Sequence, residues 1–249
     1  MKNSLVLILL LGAFTNTNAL AFLNIEALRQ EKGEPGKLKG STGVRLNDSR
    51  GNVDKRQVRA NTLNMVKNGS SSYLLLAEYL YGKSLGREDS RQGHVHFRYT
   101  RNLTDTLSWE SFSQLEFNKF QDLTLRALIG TGGRFAAYQS DEQSLFFGVG
   151  AFYERENLED LPDPRNPRGN TYISYLWKHQ MVTMSSTLYY QPNIEDLNDT
   201  RLRFNAGIET VFLGQFSQQL DYTLTHDSRP PHSVKKTDAM ISAGLAYRY

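Results

Sequence analysis

Along most of this chain apolar and polar residues take turns singly. From Ala239 to Tyr249, residues Ala239, Ile241, Ala243, Leu245, Tyr247 and Tyr249 hold one parity, and Met240, Ser242, Gly244, Ala246 and Arg248 hold the other. A period of two is that of a β-strand with one face against an apolar medium. Segments of this kind recur from about Ser41 to the end. They predict strands near 41–47, 56–66, 71–82, 91–101, 106–118, 122–135, 144–154, 169–178, 182–191, 200–211, 216–227 and 238–249.

Several faces can be assigned. Leu202, Phe204, Ala206 and Ile208 oppose Arg201, Arg203, Asn205, Gly207 and Glu209, and Leu220, Tyr222 and Leu224 oppose Gln219, Asp221, Thr223 and Thr225. Val95, Phe97 and Tyr99 oppose His94, His96 and Arg98, while Leu107, Trp109, Leu115 and Phe117 oppose Glu110, Gln114 and Glu116. One set is expected to meet lipid and the other a lumen. Glu110, Glu116, Arg126, Arg201, Arg203, Glu209 and Asp221 are then lumen charges able to pair with one another. Tyr73, Tyr79 and Tyr81 fit an interfacial girdle.

The links add independent information. Lys67-Asn68-Gly69-Ser70, Asn102-Leu103-Thr104-Asp105, the bend near Lys178 to Met181 and Phe212-Leu213-Gly214-Gln215 are tight and rich in turn formers. Asn47–Lys55, Gly82–Arg91, Arg155–Asn170, Pro192–Asp199 and Asp227–Thr237 are longer and charged. Ala136–Gln143 is longer than this alternation wants, and Asn118–Asp122 shorter. Short turns at one rim and long loops at the other are the pattern of a transmembrane barrel with periplasmic turns. The expected fold is therefore all-β: an antiparallel up-and-down transmembrane β-barrel of about twelve strands, with ten to fourteen workable.

The N-terminus agrees with export. Lys2, the apolar run Leu5 to Phe14 and the small-x-small site Ala19-Leu20-Ala21 predict a signal peptide over 1–21, cleaved after Ala21. The run is too short to span a bilayer as a helix. Residues 22–40 are expected to form a periplasmic segment or a plug, and 41–249 the barrel. The final strand, ending on an aromatic residue, looks like the closing strand of a bacterial outer-membrane barrel. That likeness implies an outer-membrane location, with membrane lipids and, through Tyr249, the barrel-assembly machinery as partners.

Composition removes other classes. Hydrophobic content is 39% and no run of eighteen apolar residues follows the signal, so a helical membrane protein is excluded. With no cysteine, disulfides, thiolate metal sites and a Cys nucleophile are out of reach. The formal charge of +3 falls by one on loss of Lys2, too little to argue for a nucleic-acid partner.

Three chemistries come into question. His94 and His96 share a face, yet no carboxylate at a known spacing completes a metal site. Glu159, Asp160 and Asp163 could collect a cation, but Arg165 and Arg168 interleave with them, as in a solvated loop. A lipid hydrolase would need a triad on the lipid side; the inward histidines and the lack of Gly-x-Ser-x-Gly speak against it. No catalytic, cofactor-binding or metal residue is assigned. Gly130, Gly132, Gly148 and Gly150 are expected inward on neighbouring strands, making room for bulky residues from across the barrel, a bend or a ligand groove.

Arg50-Gly51-Asn52-Val53-Asp54-Lys55, Tyr79-Leu80-Tyr81-Gly82, Phe117 to Phe120 with Leu123-Thr124-Leu125-Arg126 and Gly130, and Tyr189-Tyr190-Gln191-Pro192 carry a resemblance. So does the ending Asp227-Ser228-Arg229-Pro230-Pro231 with Val234-Lys235-Lys236-Thr237-Asp238 and Gly244 to Tyr249. Over nearly all its length after the signal, the chain resembles the salt-induced outer-membrane proteins, a YdiY-like family of unknown function. The resemblance implies an outer-membrane barrel and brings no catalytic residues. The reading is a non-enzymatic barrel serving the envelope or osmotic adaptation; a narrow channel for small solutes or ions is the alternative, and an outer-membrane lipid hydrolase comes third. A monomer without cofactor is expected.

Overall fold

The computed structural model describes residues 29, 35–50, 54–158, 165–230 and 234–248. The signal-peptide reading and the cleavage after Ala21 lie outside these residues, as do Glu159, Asp160, Asp163 and Tyr249.

Twelve strands follow one another: β1 (Leu38–Ser49), β2 (Lys55–Asn68), β3 (Ser71–Ser84), β4 (Arg87–Asn102), β5 (Leu107–Asn118), β6 (Leu123–Gln139), β7 (Gln143–Leu158), β8 (Arg165–His179), β9 (Val182–Pro192), β10 (Thr200–Leu213), β11 (Phe216–Asp227) and β12 (Thr237–Arg248). Each pairs antiparallel with its sequence neighbour, and β1 meets β12, which makes an up-and-down barrel. Every strand carries the alternation that predicted it, because a sheet closed on itself has two faces and two media.

Side-chain directions follow the expected parity. Glu78, Gln92, His94, His96, Arg98, Glu110, Glu154, Asn205 and Glu209 are buried in the interior, while Leu75, Val95, Phe97, Trp109, Leu115, Ile129, Val149 and Leu220 are exposed outside. The lumen assignments for Glu110, Glu116, Arg126, Arg201, Arg203, Glu209 and Asp221 agree with the registers: Glu116 pairs Arg126, Arg201 pairs Asp227 and Asp221 pairs Gly207. Aromatic rings gather outside near the short turns, where Tyr73 and Trp109 flank Tyr99 at ring-centroid distances of 5.2 and 5.8 Å.

Three connections differ from expectation. Gly82–Arg91 is a tight hairpin, since β3 and β4 run on to a turn at Leu85-Gly86 whose φ angles of 49° and 75° suit the primed hairpin turns. The charges that suggested a loop instead decorate two paired strands; Lys83 faces Glu88. Ala136–Gln143 shortens to Ser140–Glu142, so all five turns at that rim are short. β8 begins at Arg165, so Arg168 belongs to a strand.

Closure is uneven. β1 and β2 share twelve register pairs and β11 and β12 share eleven, whereas β1 and β12 share Ser41–Arg248 and Thr42–Tyr247 alone among the described residues. Both pairs lie at the short-turn rim, and the seam parts towards the long loops.

Candidate functional site

The interior is organised as two chambers and a waist. One chamber of about 740 Å³ opens at the short-turn rim between Lys67, Ser72, Thr100, Ser108, Arg134, Phe146 and Leu176. The other, about 650 Å³, lies towards the long loops, with Leu76, Arg98, Phe112, Leu128, Phe152 and Asn170 at its floor. Along β3, β5 and β8 the residues between these two sets are Leu74, Glu110 and Tyr172, and none of the three lines either chamber.

Glu110 is the hub of the waist. It is 3% exposed and takes donors from Arg98 Nη1 at 3.2 Å, from the Tyr172 hydroxyl at 2.9 Å and from the Arg29 guanidinium. Arg134 donates to the Tyr172 hydroxyl at 3.4 Å and stacks 3.7 Å over the Phe146 ring. A buried carboxylate is tolerable only when paired and hydrogen-bonded, and Glu110 has both.

The four inward glycines sit at this level. A Cβ on Gly148 would fall on the Tyr172 ring, and one on Gly130 would meet Phe112 and Phe152. Gly132 and Gly150 face each other so closely that a Cβ on either would strike the opposing backbone. The inward register is as expected. Aromatic rings from β5, β7 and β8 occupy the space over Gly130 and Gly148, and the opposing backbone that over Gly132 and Gly150.

A second network lines the outer chamber. Arg201 donates to both Glu154 oxygens at 2.9 Å, to Glu156 Oε1 at 2.8 Å and to Asp227 Oδ2 at 2.8 Å. Arg126 bonds Glu156 at 2.6 Å and pairs with Glu116. Arg168 Nε donates to Glu154 Oε1 at 2.6 Å and its Nη2 to Asp199 Oδ2 at 2.7 Å. Six strands and the β9–β10 loop are tied together by three guanidinium groups. Arg168, read from the sequence as part of a solvated loop, is 1% exposed. Its strand starts earlier than the Pro-rich sequence suggested, and its even parity turns it inward with Asn170 and Tyr172.

His94 and His96 do share the inward face, with ring centroids 6.2 Å apart. Arg98 Nε donates to His96 Nε2 at 3.4 Å, so His96 Nδ1 carries the proton and donates to Gln114 Oε1 at 3.1 Å. Both nitrogens of His96 are thus engaged. Among the described residues no group of three or more His, Asp or Glu side chains could hold a metal ion. Outside the spanning strands, the Asn198 backbone N–H and the Arg229 guanidinium hold the Asp196 carboxyl below its ordinary range.

The sequence reading missed Glu154, Glu156, Arg134, Tyr172 and Arg29. The first two were within reach: the parity that turns Gly148 and Gly150 inward carries on to Phe152, Glu154 and Glu156. Arg29 precedes the barrel and had no strand parity to betray it.

Fold and interior together define a barrel of the outer-membrane type with a filled waist. The chain belongs to a family described as protein of unknown function, DUF481, which matches residues 44–249. No curated protein matches it by sequence. The KdgM porin, solved in complex with disordered oligogalacturonate, is similar with a TM-score of 0.50 at 9% identity, over 86% of this chain and 99% of that one. A bacterial polysaccharide outer membrane secretin gives 0.44 at 7%, over 88% and 99%, and the β domain of the Bordetella autotransporter BrkA gives 0.41 at 10%, over 86% and 98%. At such identities the likeness to the porin concerns the barrel alone.

Proposed function

We propose that this protein is a non-enzymatic barrel of the outer membrane, closed to ions at rest, which serves the envelope as a rigid element in osmotic or salt adaptation. In this reading it is exported, cleaved after Ala21 and inserted with its short turns in the periplasm. The observation that carries the closed state is the waist, where Glu110, Arg98, Tyr172 and Arg134 occupy the section between the two chambers. Twelve strands lie between barrels whose interior side chains fill and those that leave a channel, so the filling decides.

Purified full-length protein in planar bilayers tests it. The expected result is little or no steady conductance from the unmodified barrel. A large, steady, ion-selective conductance would overturn the closed state and leave the second reading, a narrow channel for small solutes. That second reading is favoured by the chambers themselves, which lead inward from both rims and stop at a single layer of side chains.

A further inference from the structure

Four buried polar atoms have no hydrogen-bond partner among the described residues: Gln92 Nε2, His94 Nε2, Asn205 Nδ2 and Asp199 Oδ1. Such atoms are rare in folded proteins, because each gives up its hydration without a substitute. All four belong to one place. Gln92, His94 and Asp199 line the outer chamber, and Asn205 is bonded to Thr223, which also lines it. Three of the four side chains are anchored at their other end: Gln92 Oε1 accepts from Asn118 Nδ2 at 3.0 Å, Asn205 Oδ1 from Thr223 Oγ1 at 3.4 Å and Asp199 Oδ2 from Arg168 Nη2 at 2.7 Å.

The idle atoms have a common chemistry. The guanidinium groups of Arg126, Arg168 and Arg201 are already paired with carboxylates of the same chamber. What is left over is two amide donors, one carboxylate acceptor and an imidazole nitrogen that serves as either. Such a set does not make an anion site. It is satisfied by groups that both donate and accept, as hydroxyls do.

The floor of the chamber adds a second requirement. Gln92 and His94 follow one another on the inward face of β4, roughly 7 Å apart. Next along that face, His96 stacks on Phe112 with ring centroids 6.1 Å apart, and Phe112 meets Phe152 edge-on at 6.4 Å. Phe112 and Phe152 both line the chamber. Polar atoms beside an aromatic floor suit a molecule with a hydroxylated edge and an apolar face. The chamber's volume of about 650 Å³ falls within the roughly 300–1,000 Å³ of small-molecule sites.

We propose that the outer chamber binds a neutral, polyhydroxylated solute of disaccharide size, with Gln92 and His94 hydrogen-bonded to its hydroxyls and Phe112 and Phe152 under its apolar face. Both polar atoms are closed to solvent, so binding turns each side chain about its last torsion, which is soft in Gln and His. The site goes beyond the closed-barrel reading and does not depend on it, since a solute entering from the long-loop rim stops at the waist.

The test is calorimetric titration of the full-length protein, in a zwitterionic detergent without a sugar headgroup, with maltose, sucrose and sodium glucuronate. The expected result is saturable binding of a neutral disaccharide in preference to glucuronate. His94→Phe and Gln92→Met should each weaken it at least tenfold, with heat-modifiable migration on gels retained, and Arg155→Met on the outer face should bind as the unmodified barrel does. No saturable binding of either disaccharide by the folded, unmodified protein would overturn the site, whatever the variants do, and would leave a chamber that holds water only. Preference for glucuronate would overturn the neutral class. Folded lumen variants that bind unchanged, or an equal loss in Arg155→Met, would overturn the assignment to Gln92 and His94. None of these outcomes bears on conductance, so the closed barrel stands or falls separately.

Discussion

Arg201 shows how the interior is held at the scale of a residue. One guanidinium bridges Glu154, Glu156 and Asp227, each through a charge-assisted hydrogen bond, in a site where Glu154 has almost no access to water. Breaking a buried pair leaves an uncompensated charge, which is dearer than never having built the pair. Arg201→Met should therefore lower stability by about 3–5 kcal/mol, read as an earlier loss of the heat-resistant folded band. Arg155→Met, on the exposed face of β7, should leave that band unchanged. The residue types of this network were legible as inward charges, but their pairing was not. Arg203, on the same inward face of β10, makes a 3.5 Å contact with Asn205 on its own strand.

At the scale of elements, alternation placed all twelve strands because each crosses between lipid and lumen and repeats the same two-face problem. Where the solvent contrast ends, the signal ends too. The β3–β4 hairpin and the first residues of β8 extend past that contrast, so charge and proline there resemble loop although the backbone stays paired. The seam is the element-level weak point. Gly43–Ser49 on β1 and Met240–Ala246 on β12 pair with one strand each among the described residues, and unpaired backbone groups are costly at membrane depth. Hydrogen exchange on the folded protein should show faster exchange of amides on the free edges of these two segments than of β3 and β6. Equal protection throughout would mean that the seam is fully zipped in the membrane.

For the whole molecule, assembly depends on the last strand finding the first. β12 carries the alternation that resembles an insertion signal, and its pairing with β1 rests on residues next to the C-terminus, Tyr247 and Arg248. Deleting Tyr249 or replacing it with Asp should sharply reduce the heat-modifiable barrel recovered from outer membranes; an unchanged yield would refute a role for the terminal aromatic in assembly. The sequence by itself determined the strand number, the antiparallel course, the facing of nearly every side chain and the inward register of Gly130, Gly132, Gly148 and Gly150. It could do so because period and parity are local properties, set by which medium each residue meets. Only the tertiary structure decided that the glycines admit Tyr172 and Phe112, that Arg98, Arg134 and Arg29 gather near Glu110 or its Tyr172 partner, and that the lumen is divided at that level. Those facts depend on which strands become neighbours and on their relative stagger around the barrel, a long-range relation that no single strand's pattern records.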